Sequence, residues 1–542
     1  MLIKLTEIQK NVGAKALYKG VDLIIHPKER IGFIGRNGMG KSTLLRILAG
    51  LDHDFYGEVQ KKTGVRVVMT LQEHTDLQQT TAMEYILREV PNYRDWESTI
   101  AAYESGELND LQAYADAVEG FSNHGYYFIK DLILQSLNDF QIAASLVTEM
   151  PLKNLSGGQK RFVELVRVMY SGAELLLIDE PTNHMDYVGK ELFINWLSQN
   201  NDAVVVVTHD RDVLRSVDKI MELKEQRIFQ FEGNFAKYLS QNTTQTTNDV
   251  ISYQNKLRQL RDAEKKVEWG NRMRAKSKAW KIKYDHFVRD YEKIKQSIEK
   301  PSFWIDKESV EELDERVTES YEQFKERNVK IVMKTSAKVE NLLRVEHLSL
   351  GYQEPLFREV HFEMKSGARI FIKGRNGAGK STLVKTILAT YKELSPPAKI
   401  FDGKIIFAPG VRIGEYEQEI QEKYLHVTLG EAIHEAYLEV GKDIDDQKIK
   451  QLLAQYLFDP KLDINAKMSE LSGGQKARFQ VIKMLCNDPN LLILDEPTNH
   501  LDLPSIEELE NALQSFSGGI IYISHDQYFV KNMGGTTITI GN

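Results

Sequence analysis

The chain has 542 residues, a net charge of −8, and hydrophobic and charged fractions of 42% and 27% that are ordinary for a globular protein. This length exceeds what one hydrophobic core supports, so we expect three or four domains. Apolar runs such as Ala203–Thr208 are far shorter than the ~20 residues of a membrane helix, and the acidic balance excludes a simple polycation for nucleic acid. The single cysteine, Cys486, excludes an internal disulfide and is typical of a reducing cytoplasm.

Two segments of the chain, residues 1–237 and 340–542, match each other element by element. We call them the N-terminal repeat and the C-terminal repeat; a charged linker, residues 238–339, separates them. Within each repeat, short apolar runs that end in glycine or acidic residues alternate with helical segments. This pattern predicts an α/β fold with buried strands.

The first chemical motif in each repeat is a glycine-rich loop that fits the phosphate-binding pattern. Its backbone N–H groups wrap phosphates, its lysine reaches the β- and γ-phosphates, and its serine hydroxyl binds Mg²⁺. We therefore expect ATP and Mg²⁺ as cofactors. The predicted ATP-binding residues of these two phosphate loops are Gly35, Arg36, Asn37, Gly38, Met39, Gly40, Lys41, Ser42 and Thr43, and Gly374, Arg375, Asn376, Gly377, Ala378, Gly379, Lys380, Ser381 and Thr382.

A glutamine follows the next apolar strand in each repeat, Gln72 after Val65–Leu71 and Gln418 after Val411–Glu417. We expect these glutamines to help place Mg²⁺ and the attacking water; the alternative is that they are simply exposed to solvent.

Beyond Gln72 the N-terminal repeat is about thirty residues longer than its counterpart, and the extra residues fall within 92–140. This insertion is rich in helix formers and aromatic residues. It is either a longer helical subdomain with its own small core or a protruding arm that contacts a partner.

An Asp-Glu-Pro-Thr-Asn-His run ends an apolar strand in each repeat. Asp179 and Asp495 are placed to hold Mg²⁺ directly or through water. Glu180 and Glu496 are candidate catalytic bases that orient and deprotonate the attacking water, rather than ordinary partners in a salt bridge at a strand end.

One strand later, each repeat carries a histidine, His209 in Thr-His-Asp and His525 in Ser-His-Asp. A lone histidine is usually structural, but the paired context predicts that both act catalytically by contacting the γ-phosphate.

The linker is predicted to be helical and semi-rigid. A helix is predicted from Asn248 to Lys300, interrupted at Trp269–Asn271 because glycine weakens a helix interior, and ended by Pro301. A second helix is predicted over Glu308–Arg327, with Phe303–Ile305 as an apolar clamp between linker helices.

A basic patch within the linker, from Gly270 to Tyr284, contains six Lys or Arg and no Asp or Glu. RNA binding requires contact with phosphates combined with aromatic stacking, so this patch is a candidate RNA-binding surface. The alternative interpretation is that the patch is simply a solvated helix face. The predicted RNA-contact residues are Arg272, Arg274, Lys276, Lys278, Trp280, Lys281 and Lys283.

Finally, Leu-Ser-Gly-Gly-Gln occurs at Leu155–Gln159 and at Leu471–Gln475, and we call these the signature segments. Together with the other motifs, they resemble the complete motif set of ATP-binding cassette (ABC) ATPases in both repeats. Those other motifs are the phosphate loops, the glutamines, the Asp-Glu strands, the histidines, and the pairs Met185-Asp186 and Leu501-Asp502. The resemblance implies a head-to-tail sandwich in which each signature segment caps the ATP bound by the opposite repeat, so that closure licenses hydrolysis. The capping residues are Ser156, Gly157, Gly158 and Gln159, and Ser472, Gly473, Gly474 and Gln475.

The same resemblance implies that Tyr352 stacks on adenine in the C-terminal repeat. Its counterpart Val12 is unable to stack, and Tyr18 aligns with Phe357 and is expected in the core. Adenine binding by the N-terminal repeat is therefore expected to be weaker or less selective for the base.

Tandem cassettes, a long charged linker and an insertion in the first cassette resemble the ABC-F family over essentially the whole chain. Members bind the ribosome at the tRNA exit site, and their linker projects toward the peptidyl-site tRNA and the peptidyl-transferase centre. The resemblance implies a cytoplasmic, ribosome-associated monomer without membrane contact, whose partners are the large subunit, its ribosomal RNA and peptidyl-site tRNA.

Two roles compete within that family. The tall linker, short arm and end of the chain at Asn542 resemble the antibiotic-resistance, ribosomal-protection branch, of the type that acts against phenicols, oxazolidinones and tetracyclines. The alternative is a housekeeping translation factor for stalled ribosomes. Outside the family, the alternatives are the ATPase subunit of an ABC transporter and a DNA-associated ATPase.

Overall fold

The computed structural model describes residues 1–12, 15–71, 80–183, 185–296, 339–417, 420–456, 458–471, 473–499 and 501–541. Some of the predictions lie outside these residues: those on Gln72, Gln418, Ser472, Pro301, Phe303–Ile305 and Glu308–Arg327.

The N-terminal repeat alternates strands and helices as its sequence predicts. Its strands are β1 (Ile3–Val12), β2 (Lys15–Ile25), β3 (Arg30–Gly35), β4 (Tyr56–Lys61), β5 (Val67–Met69), β6 (Leu175–Asp179), β7 (Ala203–Val207), β8 (Lys219–Lys224) and β9 (Arg227–Glu232). Its helices are α1 (Lys41–Ala49), α2 (Ala82–Leu87), α3 (Tyr93–Glu104), α4 (Leu111–Asn123), α5 (Ile129–Asp139), α6 (Ala144–Thr148), α7 (Gly157–Met169), α8 (Tyr187–Gln199) and α9 (Arg211–Arg215), with 3₁₀ turns at Tyr126–Phe128 and Leu152–Asn154.

Two long helices, α10 (Phe235–Met273) and α11 (Lys278–Gln296), follow and pack against each other as a linker hairpin. The predicted interruption at Trp269–Asn271 is wrong, because α10 continues to Met273. Gly270 is buried where the two helices touch, and a Cβ on it would lie 2.9 Å from Cδ2 of Phe287. This glycine therefore permits close helix packing instead of breaking the helix.

The C-terminal repeat carries the matching elements. Its strands are β10 (Asn341–Gly351), β11 (Pro355–Lys365), β12 (Arg369–Lys373), β13 (Lys399–Phe407), β14 (Ile413–Tyr416), β15 (Leu491–Asp495), β16 (Gly519–Ile523) and β17 (Thr536–Thr539). Its helices are α12 (Lys380–Tyr391), α13 (Glu422–Leu425), α14 (Leu429–Glu439), α15 (Asp446–Gln455), α16 (Gly473–Leu485), α17 (Leu503–Ser515) and α18 (Gln527–Met533), with 3₁₀ turns at Asp463–Asn465 and Met468–Glu470.

Each repeat contains a mainly parallel sheet that carries the motifs, in the order β5-β6-β7-β3-β8-β9 in the N-terminal repeat and β14-β15-β16-β12-β17 in the C-terminal repeat. A three-stranded antiparallel sheet accompanies each one, β2-β1-β4 and β11-β10-β13. The central strands β7 and β16 are buried along their whole length, as expected when both faces of a sheet are covered. The predicted α/β class with two related units is confirmed. Among the helices of the described residues, none combines the length and the apolar character that crossing a bilayer requires.

The insertion forms α3, α4 and α5, and its aromatic side chains pack inward. The rings of Tyr93, Phe121 and Tyr126 lie within 5.7 Å of one another and join the main core of the N-terminal repeat. Tyr127 and Phe128 remain exposed on the turn before α5. Of the two interpretations, the packed helical unit describes most of this segment, although its core is continuous with that of the repeat.

Candidate functional site

The strands and helices of each repeat bring its motifs to one edge of its parallel sheet. Gly35 ends β3, and the phosphate loop that follows it leads into α1 at Lys41. Gly40 precedes this helix with a φ of 105°, and its counterpart Gly379 has a φ of 94°. Such left-handed backbone strongly favours glycine, which explains the residue type at these turns.

The two loop lysines are buried inside the phosphate loops. Lys41 Nζ donates to the carbonyl of Gly35 at 2.6 Å, and Lys380 Nζ donates to the carbonyl of Gly374 at 2.9 Å. Burial lowers the pKa of both ammonium groups, because it disfavours the charged form. A bound polyphosphate would supply the negative charge that these lysines need.

The candidate bases have an unusual backbone. Glu180 and Glu496 directly follow β6 and β15, with φ values of 47° and 50°. Non-glycine residues adopt this region rarely, and such strain concentrates at functional sites. Removal of water by the surrounding protein raises the pKa of both carboxyl groups.

Each histidine lies beside the glutamate of its repeat, but the two contacts differ. His525 donates its backbone N–H to Glu496 at 3.1 Å, and its Nε2 lies 3.3 Å from the same carboxylate. His209 lies 3.8 Å from Glu180, and its Nε2 is 3.2 Å from Lys41 Nζ. Burial lowers the pKa of His525 to about 3 and also lowers that of His209, so both rings are neutral at pH 7.

The donor set suits Mg²⁺, a cation that prefers oxygen ligands. Ser381 hydrogen-bonds the Asp495 carboxylate, while Oδ1 of Asp495 is buried with no hydrogen-bond partner among the described residues. Ser42 and Asp179 hold the equivalent positions, in the first turn of α1 and at the end of β6. These hydroxyl and carboxylate oxygens are the groups that would hold the ion.

The signature segment of the N-terminal repeat faces the phosphate loop of the C-terminal repeat across a cavity of ≈ 790 Å³. Ser156 begins α7 with a capping box, in which its hydroxyl and the Gln159 side chain each accept a backbone N–H of the other residue. The C-terminal signature segment lies close to the phosphate loop of the N-terminal repeat, because a Cβ on Gly474 would sit 3.1 Å from Nδ2 of Asn37. Other residues on the cavity wall include Asn37, Gly38, Gly158, Glu180, His209, Tyr352, Asn376, Gly377, Gly379, Lys380, Ser381, Thr382, Glu496 and His525.

Two aspartates, absent from the predicted site residues, connect the repeats directly. Asp502 accepts the backbone N–H of Asn37 at 3.3 Å, and Asp186 accepts that of Asn376 at 3.1 Å. Burial would raise the pKa of Asp186, but amide donors including Asn376 outweigh it and hold the pKa below its ordinary value. The mirrored Met-Asp and Leu-Asp pairs after the Asp-Glu runs were the sequence feature that pointed to them.

The side chains at the predicted adenine-stacking position differ between the two repeats. Tyr352 is exposed and borders the cavity, and Val12 stands exposed at the equivalent place. Tyr18 is buried, as expected, and its hydroxyl donates to the carbonyl of Gly40.

The basic patch forms the distal end of the linker hairpin, spanning the end of α10, the turn and the start of α11. All six cationic side chains are exposed. Trp280 packs edge-on against Trp269 at 4.9 Å between centroids, and Lys283 lies over the Trp280 ring. The hairpin thus presents cations beside aromatic rings.

Comparisons with known proteins match the order of two ATP-binding repeats along this chain. The chain is 30% identical to the ABC transporter ATP-binding protein YfmR of Bacillus subtilis, over 98% of this chain and 80% of that protein. It is 28% identical to ABC transporter F family member 5 of Arabidopsis thaliana, over 98% of this chain and 74% of that protein.

A similar fold occurs in the crystal structure of the archaeal ribosome recycling factor aABCE1 in complex with the archaeal ribosomal stalk protein aP1. The TM-score is 0.58 at 17% identity, over 99% of this chain and 87% of that one. The ABC transporter family model matches residues 18–183 and 357–499, one stretch in each repeat. The chain therefore belongs to the ABC transporter family, as an ATPase with two cassettes in tandem.

Proposed function

We propose that the chain is an ABC-F-type ATPase that binds the ribosome at the tRNA exit site when ATP closes its cassettes, and leaves after hydrolysis. The linker hairpin would point toward the peptidyl-site tRNA and the peptidyl-transferase centre. The observation that carries the proposal is the hairpin itself, whose basic, aromatic end is joined to two cassettes that face each other head to tail.

In the proposed reaction the two sites use the same groups. Lys41 and Lys380 bind the β- and γ-phosphates, and the opposite signature segment completes the shell around the γ-phosphate. Glu180 and Glu496 accept a proton from the attacking water. Bound Mg²⁺ would neutralise phosphate charge. Phosphoryl transfer requires mainly positioning and charge stabilisation, so hydrolysis depends on closure.

Two comparisons support a role on the ribosome. The Arabidopsis relative that matches nearly the whole chain is named as a member of the F family. The archaeal protein of similar fold is described as a ribosome recycling factor.

The test is a variant that binds ATP without hydrolysing it. Glu180→Gln with Glu496→Gln should lower ATP turnover at least about 100-fold, because general-base catalysis contributes that much. With ATP, the variant should pellet with ribosomes, whereas the exposed control Glu104→Gln should behave as wild type. Pelleting with membranes would favour the transporter-subunit alternative, and hydrolysis stimulated by DNA would favour the DNA-associated one.

We further propose the ribosomal-protection role, in which the end of the hairpin dislodges drugs from the large subunit. Expression of the gene in a susceptible host should raise the inhibitory concentrations of phenicols, oxazolidinones or tetracyclines. No change for any of these drugs, together with ribosome binding, would assign the housekeeping role instead.

A further inference from the structure

A buried lysine of the N-terminal repeat, Lys190, lines the same cavity as the two pairs His209-Asp210 and His525-Asp526. We call these pairs the histidine segments. Lys190 stands on α8 and is 3% exposed. Its Nζ lies 3.0 Å from the carboxylate of Asp210 and 3.1 Å from that of Asp212. The lysine therefore holds the histidine segment of its own repeat.

The carboxylate of Asp526 approaches this ion pair from the opposite repeat. Burial raises the pKa of Asp526, the negative charge of Asp210 raises it further, and Lys190 lowers it. Asp526 also accepts the backbone N–H groups of Tyr528 and Phe529 at the start of α18, which fixes its position. Two carboxylates from opposite repeats thus lie close enough to repel each other, and Lys190 offsets that repulsion.

The two repeats differ at the position of this lysine. On α17 the buried Ile506 occupies the place that Lys190 has on α8, and Tyr528 occupies the place of Asp212. The aspartate after the histidine, in contrast, is present in both repeats. One ammonium group, supplied by the N-terminal repeat, therefore serves two aspartates.

A neighbouring cation, Arg211, contacts a different set of groups. Its guanidinium lies 3.8 Å from the carboxylate of Glu510 and over the ring of Tyr528, both in the opposite repeat. Arg211 also favours the charged form of Asp526. Its contacts are nevertheless with α17 and α18, whereas Lys190 contacts the carboxylate of Asp210 directly.

We propose that Lys190 is a positioning residue for both ATP sites, because it neutralises the two aspartates and so lets the histidine segments come together when the repeats close. Like charges opposite each other across an interface oppose association. Closure without Lys190 would bring Asp210 toward Asp526 with no ammonium group beside them. This inference rests on the proposed function, in which closure around ATP permits hydrolysis.

The test is ATP turnover by the full chain at saturating ATP. Lys190→Ile with Asp212→Asn removes one cation and one anion. It leaves the N-terminal repeat with the arrangement found in the C-terminal repeat, an aliphatic side chain near a single aspartate, so we expect it to fold. Turnover should fall about tenfold relative to Asp212→Asn alone, because the remaining aspartates repel each other across the interface.

A third substitution in the opposite repeat separates positioning from folding. Adding Asp526→Asn should restore turnover to within about threefold of Asp212→Asn alone, because asparagine caps α18 as aspartate does but carries no charge. A defect in the local fold around Lys190 would not be repaired by a change in the other repeat. Circular dichroism checks that each variant is folded.

Full turnover in Lys190→Ile with Asp212→Asn would overturn the inference, and so would no recovery on adding Asp526→Asn. A chain that stays unfolded even with Asp526→Asn would assign Lys190 to folding and overturn it as well. Failure of Glu180→Gln with Glu496→Gln to pellet with ribosomes would instead overturn the proposed function, while the comparison of turnover would stand.

Discussion

At the scale of single residues, the two phosphate loops receive different support from equivalent positions. The Tyr18 hydroxyl donates to the Gly40 carbonyl of the first loop. Phe357 packs its ring beneath Gly379 of the second loop, where an added Cβ would lie 3.1 Å from Cε1. Phenylalanine has no hydroxyl to donate, so the first loop has a hydrogen bond that this position is unable to provide in the second.

Tyr18→Phe is expected to destabilise the N-terminal repeat by about 1 kcal/mol, since the partly buried Gly40 carbonyl loses one of its two donors and keeps only the backbone N–H of Leu44. The unfolding midpoint of that repeat should fall by about 2–4 °C. Differential scanning calorimetry measures the shift. Tyr56→Phe, at a side chain 78% exposed, is the control, and equal shifts in both variants would refute the importance of the hydrogen bond.

At the scale of elements, the linker hairpin depends on a close approach of its two helices. In an isolated helix Gly270→Ala would be favourable by about 1 kcal/mol. In the hairpin the new methyl group would meet the Phe287 ring at 2.9 Å, so we expect the helices to separate. Spin labels at the exposed positions Glu264 and Lys293 should report a longer and broader distance distribution. Phe287→Leu in the same chain should reverse the change; a Gly270→Ala distribution like that of wild type would contradict this account.

The distal end of the hairpin should bind RNA through its charge. Lys281→Glu with Lys283→Glu should weaken ribosome binding and reduce the slope of log affinity against log salt by about 1 for each phosphate that the protein no longer neutralises. Filter binding at several salt concentrations measures that slope. The same changes at Lys265 and Lys266, exposed further along α10, provide the control with identical net charge. Equal losses of affinity from both pairs would point to a general effect of charge.

Features of consecutive residues were predictable from the sequence, and contacts between distant residues were not. The phosphate loops, the strands ending at Asp179 and Asp495, and the helical insertion follow from local patterns. The continuity of α10 at Gly270 was missed, because the residue that explains it belongs to the partner helix. The hydrogen bond that the backbone N–H of Leu71 donates to the buried Glu164 on α7 was missed for the same reason: nothing in either segment alone reveals the other.

At the scale of the whole molecule, the head-to-tail pair depends on reciprocal contacts. Asp186 and Asp502 each accept a phosphate-loop amide from the opposite repeat and also begin a helix of their own repeat. Asparagine caps a helix about as well as aspartate. Substitution by asparagine therefore removes the charge at the interface while leaving the helix start intact.

Asp186→Asn with Asp502→Asn should leave each repeat folded but weaken closure. We expect ATP turnover to fall about 30-fold, since exchanging a charged acceptor for a neutral one loses roughly 1 kcal/mol at each of the two contacts. The radius of gyration with ATP, from small-angle scattering, should rise. Asp110→Asn, at another N-cap remote from the interface, is the control. Compact particles with full turnover in the double variant would show that these contacts do not hold the pair together.

The first turn of α10 has a mechanical consequence. Phe235 and Tyr238 are buried in the core of the N-terminal repeat, so the 39-residue helix is anchored there at its base. At 1.5 Å per residue it is about 58 Å long. A tilt of its base by about 10° would sweep the far end of a helix of this length through about 10 Å. A small rotation of the N-terminal cassette would therefore move the far end of the hairpin by a distance similar to the size of a nucleotide.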